Sequence, residues 1–511
     1  MYHLMRFKYF PLLLLVGLPF HLTAQMGQPD RPNIILIYAD DLGYGDISAY
    51  GAQRISTPSI DQLARGGLSF SDAHATSATC TPSRYGLLCG EYPWRKNGTG
   101  VAPGNAALLI EPGRTTLAST LKQAGYQTGV VGKWHLGLGP ASGPDWNGDI
   151  RPGPLELGFD YAFLLPATGD RVPCVYVENH RVVNLDPADP ISVSYSSKVG
   201  VEPTGKEHPE WLRMGLTDGH DQTIIGGISR IGYMAGGTKA RWVDEDMAAV
   251  FVRQATQFVR QAGDQPFFLF FSTHDIHVPR VPDARFVGKS GMGLRGDAIL
   301  QLDWTVGQIL DLVKATGKAE NTLIIFSSDN GPVLDDGYAD QAWELLGDHR
   351  PAGPWRGGKY SSFEGGTRVP LISYWPGMIQ PGWSAAMVSQ VDFLASLSAL
   401  VDQPVPPSAM DSENHLDALL GRSKQARKKL VEHSRTFSFR NGHWKLIQPA
   451  PGPAVLPMVR IESGLDDTGA QLYYLKNDPG EQKNRSSGLP RRVARMNAEL
   501  EAIKKHQSAA E

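Results

Sequence analysis

The chain has 511 residues, with 49 lysines and arginines against 52 aspartates and glutamates, a formal net charge of −3. With 41% hydrophobic and 20% charged residues it has a globular composition, which argues against a mainly disordered chain, a collagen or a membrane bundle. The near-neutral balance argues against a nucleic-acid binder, which carries a basic stripe, so any anion handled by this protein should be met in a local pocket.

In chain order, Arg6 and Lys8 precede an apolar run over residues 10–20 and the small residue Ala24. This is the basic, apolar, small-residue order of a secretory signal peptide at 1–24, and the run is shorter than the ~20 residues a membrane span needs. Cleavage near Ala24 predicts a secreted or periplasmic protein with no membrane attachment; the alternative is an uncleaved N-terminal anchor. Cys80, Cys89 and Cys174 are too few, and odd in number, for a disulfide scaffold, so at least one thiol is left free, modified or reactive.

Residues 33–39 (Asn-Ile-Ile-Leu-Ile-Tyr-Ala) read as a buried strand, as do 266–272 and 322–327. Continuous apolar runs of this kind suit strands covered on both faces in a parallel sheet. Between them, Leu117, Leu121 and Ala124 form one helical stripe before Gly125, and Val306, Ile309, Leu310 and Val313 form another before Gly317. The pattern predicts an α/β fold with a doubly wound, mostly parallel sheet, whose function gathers at the C-terminal ends of the strands. Residues 149–237, rich in Gly, Pro and polar residues, read as long loops over the sheet edge. The Pro-rich passage 403–407 and a charged helix expected at 421–432 mark a change of character. Short strands at 436–440 and 444–447 and a charged helix at 491–505 follow. The expected organisation is a catalytic domain at 25–420 and a smaller C-terminal α+β domain at 421–511, with a small antiparallel sheet and a terminal helix.

The first strand runs straight into Asp40-Asp41-Leu42-Gly43-Tyr44-Gly45-Asp46, and the strand at 322–327 ends in Ser328-Asp329-Asn330-Gly331. Adjacent side chains on a strand point to opposite faces, so Asp40 and Asp41 can meet one ion only if the backbone turns after Ala39. Alone, each acidic turn reads as a cap or loop. Together, Asp40, Asp41, Asp329 and Asn330 form an all-oxygen set that suits Ca²⁺ or Mg²⁺ rather than zinc. Lys133 and His135 share a face at i, i+2 after a strand; His274 and His277 follow the phenylalanine-rich strand; Lys359 lies in a glycine-rich turn. Basic groups gathered around a carboxylate-bound cation imply an anionic ester substrate, either phosphate or sulfate.

Cys80-Thr81-Pro82-Ser83-Arg84, followed by Tyr85-Gly86-Leu87-Leu88-Cys89-Gly90, resembles the signature of the type I sulfatases of the alkaline-phosphatase-like superfamily. The resemblance continues through Asp40–Asp46, Gly132-Lys133-Trp134-His135-Leu136-Gly137, Asp329-Asn330-Gly331, and Lys359 with Phe363-Glu364-Gly365-Gly366-Thr367-Arg368-Val369-Pro370, and covers nearly all of the mature chain. One departure is Cys89, where the family carries threonine. The resemblance implies that Cys80 is oxidised to formylglycine by a formylglycine-generating or sulfatase-maturating enzyme. It also implies that Asp40, Asp41, Asp329 and Asn330 bind Ca²⁺, with Mg²⁺ as the alternative, together with residue 80. The hydrated aldehyde would attack sulfur. His277 and Lys359 would neutralise the leaving group, His135 would deprotonate the second hydroxyl, and Arg84 and Lys133 would hold the nucleophile. His274 is the alternative acid on its turn. The resemblance implies a sulfated carbohydrate substrate, read here as galactose or N-acetylgalactosamine type. The polar loop blocks 145–148, 169–173 and 178–181 offer an aromatic, carboxylates and cations suited to sugar hydroxyls, which points to Asp170, Arg171 and His180, the alternative being that these residues only hold the loop together; Trp211, His220 and His443 are further unranked candidates. Rival readings are a phosphomonoester or phosphonate ester hydrolase of the same superfamily, a catalytically silent polysaccharide-binding protein, and a papain-like thiol hydrolase.

Overall fold

The computed structural model describes Met1 and residues 31–506, so the expected signal segment lies, beyond Met1, outside the described residues. The apolar runs form the middle of a ten-stranded sheet. Asn33–Ala39 is buried along its whole length because Phe267–Ser272 and Thr322–Ser328 pair with its two edges, both in parallel. Gln127–Lys133 and then Tyr161–Leu165 extend the parallel set beyond Phe267–Ser272. On the other side Leu371–Tyr374 runs antiparallel to Thr322–Ser328, followed by Leu68–Phe70 and Gly382–Ser384. The hairpin of Val177–Glu178 and Arg181–Val182 closes the opposite end. This is the expected mostly parallel α/β architecture, with mixed edges.

Helices cover the sheet in two packed groups. Gly293–Ala315, which contains the stripe read from Val306 to Val313, packs on Pro58–Gly66 and Met247–Gln261. Cys80–Cys89, Leu117–Gln123 and Phe393–Leu400 pack on one another. Thr116 caps Leu117–Gln123 by accepting the Ser119 N–H at 3.1 Å.

Strand register decides where the chemistry goes. Ala39 pairs with Ser328, Tyr38 with Ser272, and Ser272 with Gly132. Four parallel strands therefore end on one line, and Asp40, Asp329, Thr273 and Lys133 emerge at the same edge. Gly132 makes this possible. Its φ is +110°, and a Cβ there would lie 1.8 Å from the Ser272 carbonyl oxygen. Left-handed strain and the backbone clash add, so Gly132→Ala should cost at least about 2 kcal/mol and shift Lys133. A lowered thermal midpoint accompanied by lost turnover is the expected result.

Two expectations are corrected. Residues 149–237 were read as loops, yet Tyr161–Leu165 (Tyr-Ala-Phe-Leu-Leu) is the fifth parallel strand. Its short apolar run is diluted by the glycine- and proline-rich sequence on both sides. The charged helix expected at 421–432 does not form, and Lys429–His433 is instead an edge strand paired with Phe437–Asn441. That segment lacks an apolar stripe at helical spacing, so sheet pairing wins. One of its basic residues, Arg427, is buried against Asp392 at 2.6 Å rather than solvated.

Lys429–His433, Phe437–Asn441, Trp444–Ile447 and Gln471–Tyr474 form a four-stranded antiparallel sheet. The helix Pro490–Lys505 lays Met496 and Leu500 onto Leu430, Phe439, Leu446 and Leu472. A buried ionic cluster joins this small sheet to the main body. Glu364 meets Arg368 and Arg440, each at 2.7 Å, and Lys445 at 3.0 Å; His74 meets Asp72 at 2.8 Å and Glu432 at 3.1 Å. No helix among the described residues is long and apolar enough to cross a membrane.

Candidate active site

The acidic turn after Asn33–Ala39 is shaped from below. Asp41 takes a positive φ of 57°, which swings its carboxylate to the side of Asp40. The last aspartate of the motif is a clamp: Asp46 accepts the Gly43 N–H at 2.7 Å, two bonds from Arg295 at 2.6 and 2.8 Å, and one from His349 at 2.9 Å. Burial opposes its ionisation, but Arg295 and His349 outweigh that and lower its carboxyl to about 2. Sequence reading missed Arg295 and His349, because nothing local marks them.

Cys80 is the first residue of the buried helix Cys80–Cys89. Arg84, four residues on, lies on the same helix face. Its guanidinium donates to Asp329 Oδ2 at 2.7 and 3.1 Å and to the Lys133 carbonyl at 3.0 Å. Cys89 closes the far end of the helix, about 13 Å away along its axis, and so does not share the site.

Lys133 Nζ donates to both oxygens of Asp40 at 2.7 Å and lies 3.8 Å from Asp329. Lys359 Nζ donates to Asp41 and Asp336, each at 2.9 Å, and lies 3.3 Å from His277 Nε2. Burial works against a lysine's charge, yet Asp336 and Asp41 hold Lys359 protonated well above the ordinary range. Burial, reinforced by Lys359 and Lys133, keeps His277 neutral; its Nδ1–H goes to the Val278 carbonyl at 2.7 Å. His135, also neutral through burial and the nearby charges of Lys133 and Arg171, donates from Nε2 to the Ala102 carbonyl at 2.9 Å. Its Nδ1 is buried with no partner among the described residues, a free lone pair on a buried base.

Ligand atoms of Asp40, Asp41, Cys80 and His277 all lie within 4.8 Å of one another. Burial, opposed by Lys133 and Lys359 but reinforced by the neighbouring carboxylates, drives Asp40 well up and raises Asp41 as well. Asp329 goes the other way: burial raises it, but Arg84 and Lys133 outweigh that and keep it ionised. Asn330 donates to Asp41 Oδ1 at 2.7 Å while its own Oδ1 is buried with no partner among the described residues. Crowded carboxylates beside an orphaned amide oxygen fit a hard divalent cation.

The sulfatase family model matches residues 32–403, which hold all of these groups. The chain belongs to the sulfatase family. It is a sulfuric ester hydrolase, as are its relatives. It is 52% identical over 477 residues, 93% of each chain, to the N-acetylgalactosamine-6-O-sulfatase of Bacteroides thetaiotaomicron. It is 32% identical to human arylsulfatase A over 495 residues, covering 92% of this chain and 86% of that one. A solved B. thetaiotaomicron structure, from work on the metabolism of multiple glycosaminoglycans, superimposes with a TM-score of 0.92 at 52% identity, covering 93% of this chain and all of that one. A Pseudoalteromonas sulfatase at 24% identity shares the fold, with a TM-score of 0.66 over 94% of this chain and 92% of that one.

The remaining candidates of this sulfatase divide. Asp170 accepts from Arg171 at 2.8 Å and from His220 Nε2 at 3.2 Å. Burial is outweighed by these cations, which hold its carboxyl well below the usual range. His220, carried at a φ of +57°, also donates from Nδ1 to the Asp218 carbonyl, so both its nitrogens donate and the imidazole is cationic; Asp170 prevails over burial to raise it. His180 is not brought to this group. It bonds Glu156 at 3.1 Å and lines an open cleft with Asp149, Arg151 and Arg181. His274 Nε2 accepts the Gly169 N–H at 2.8 Å, which ties the Asp170 loop to the sheet and leaves His277 facing Lys359. Trp211 is exposed and stacks on His208, and His443 sits on an exposed turn of the small sheet.

Proposed function

We propose that this sulfatase releases sulfate from sulfated sugars of galactose or N-acetylgalactosamine type, with 6-O-sulfated N-acetylgalactosamine the favoured substrate. Residue 80 would act as formylglycine, and Asp40, Asp41, Asp329 and Asn330 would hold Ca²⁺, with Mg²⁺ the alternative. The observation that carries this reading is the convergence of Cys80, the acidic set, Lys133, His277 and Lys359 from segments up to 318 residues apart. Identity of 52% with an N-acetylgalactosamine-6-O-sulfatase over 93% of both chains supports the choice of sugar.

A bound divalent ion supplies Lewis-acid stabilisation of charge on the sulfate oxygens. As formylglycine hydrate, residue 80 would supply two hydroxyls on one carbon, a nucleophile for sulfur and a second group through which sulfate could be released. Arg84 and Lys133 aim Asp329 and Asp40 at the residue-80 side chain. The free Nδ1 of His135 accepts the hydroxyl proton, and the Lys359 Nζ and His277 Nε2 pair supplies the proton that the departing sugar oxygen needs. Asp170 and Arg171, with His220 behind them, face the sugar. His180 would act from its separate cleft. Cys80 is buried in the folded chain, which favours conversion before folding is complete. A secreted or periplasmic location goes with the leader at 1–24.

The test joins the mass of the Cys80 peptide to a sulfate-release screen on defined 4-O- and 6-O-sulfated saccharides. Full conversion with release from none of them would refute the reading. Stripping divalent ions with a chelator should lower both turnover and the thermal midpoint, since an ion at 100-fold its Kd adds about 2.7 kcal/mol to stability. Calcium should restore both.

A further inference from the structure

Lys359 is shared between two carboxylates with different duties. Asp41 belongs to the candidate cation group, whereas Asp336 stands outside it, and among the described residues its only ion pair is with Lys359. The second oxygen-bound partner of Asp336 is the Tyr360 hydroxyl, at 3.2 Å. Tyr360 adopts a φ of +72°, uncommon for an aromatic residue, and its backbone N–H bonds the Ala78 carbonyl, two residues before Cys80. The segment that carries Asp336 is pinned from the sugar side. Thr217 donates to Asp335 at 2.6 Å, and Leu216 pairs with Tyr338. The same loop continues to His220, the partner of Asp170.

We propose that Asp336 is a positioning residue for leaving-group departure: through its 2.9 Å bond it aims the Lys359 amino group at the departing oxygen while Asp41 serves the cation. This rests on the sulfatase reading above. When the bond between sulfur and the sugar oxygen breaks, its electron pair stays on that oxygen, and the Lys359–His277 pair supplies the proton that neutralises it. Asp336 acts through Lys359, its one charged partner among the described residues, rather than on the reacting atoms. Its contribution should therefore grow with the basicity of the leaving oxygen, because a poor leaving group needs the proton and a stable phenolate does not.

The experiment compares matured wild type, Asp336→Asn and Tyr360→Phe on a sugar sulfate and on 4-nitrophenyl sulfate, with thermal midpoints measured alongside. Asp336→Asn keeps shape and removes only charge. Its kcat on the sugar sulfate should fall about 10–100-fold, as when partners of catalytic groups are removed. The loss on the activated aryl ester should be about tenfold smaller. Tyr360→Phe, which loosens Asp336 without touching any charge, should follow the same order with smaller losses and stands in should Asp336→Asn not fold. Equal losses on the two esters, or a change confined to KM on the sugar, would overturn the proposal. Wild type that releases sulfate from neither ester would instead count against the sulfatase reading.

Discussion

Cys80→Ala is expected to lower sulfate release by about 10⁴-fold or more, the scale seen when a covalent nucleophile is removed from an otherwise intact site. The thiol occupies the first position of a buried helix, within 4.8 Å of the ligand atoms of Asp40, Asp41 and His277. Burial pushes it up to about 11, even though Lys133 and Lys359 pull the other way. A thiol also lacks the second hydroxyl whose deprotonation releases sulfate, so an unconverted cysteine is expected to be as silent as alanine. The measurable consequence is that activity across preparations should scale with the converted fraction of the Cys80 peptide and extrapolate to zero at no conversion. Substrate binding should survive in Cys80→Ala, because Asp170, Arg171 and His220 are untouched. Unconverted enzyme as active as converted enzyme would dispose of the mechanism.

The second large effect concerns the joint between the two sheets. Lys445 Nζ is fully buried, 3.0 Å from Glu364, 3.2 Å from Glu432 and 3.6 Å from Glu481. Lys445→Met removes the cation and leaves the carboxylates, so it should destabilise the fold by about 3–5 kcal/mol. The pH dependence follows from the same residues. Burial raises Glu432, but Lys445 and His74 outweigh it and hold it at about 2, so its contribution is present above the unfolded value and is lost as pH falls toward 2. Burial holds Glu481 up at about 8 against the pull of Lys445, so its contribution is present below the unfolded value of about 4.3 and is lost as pH rises through 8. Without Lys445, Glu481 rises further and Glu432 loses part of the pull that holds it down, so the folded state binds more protons than the unfolded one across pH 5 to 8. Stability of the variant therefore falls more steeply with rising pH. Thermal midpoints should separate from wild type more at pH 8 than at pH 5; a gap that narrows toward pH 8 would contradict this account.

Much of the catalytic edge was legible in the chain itself. The buried strands at 33–39, 266–272 and 322–327 announce themselves because a strand covered on both faces needs an unbroken apolar run, and they occur at Asn33–Ala39, Phe267–Ser272 and Thr322–Ser328. The residues that follow such strands must emerge at one sheet edge, which is why the chain itself groups Asp40, Asp41, Asp329 and Asn330. The weak points were places where the local signal is thin. Tyr161–Leu165 is too short to stand out from its surroundings, and the basic run near 421–432 looks helical until Arg427 is seen buried on Asp392.

What the amino-acid order alone determined is the set of elements and motifs whose information lies within a few residues: apolar runs, the Cys80-to-Arg84 motif, acidic turns after strands. Only the tertiary structure decided which distant groups share charge. Asp170 and His220 are 50 residues apart, Arg84 and Asp329 are 245, and Glu364, Glu432 and Lys445 meet in one buried cluster. It also parted His180 from the cluster in which a polar loop composition had placed it. The reason is physical: periodicity and turn chemistry act along the backbone, whereas a buried ion pair is favoured only once packing has excluded water and set both partners within a few ångströms.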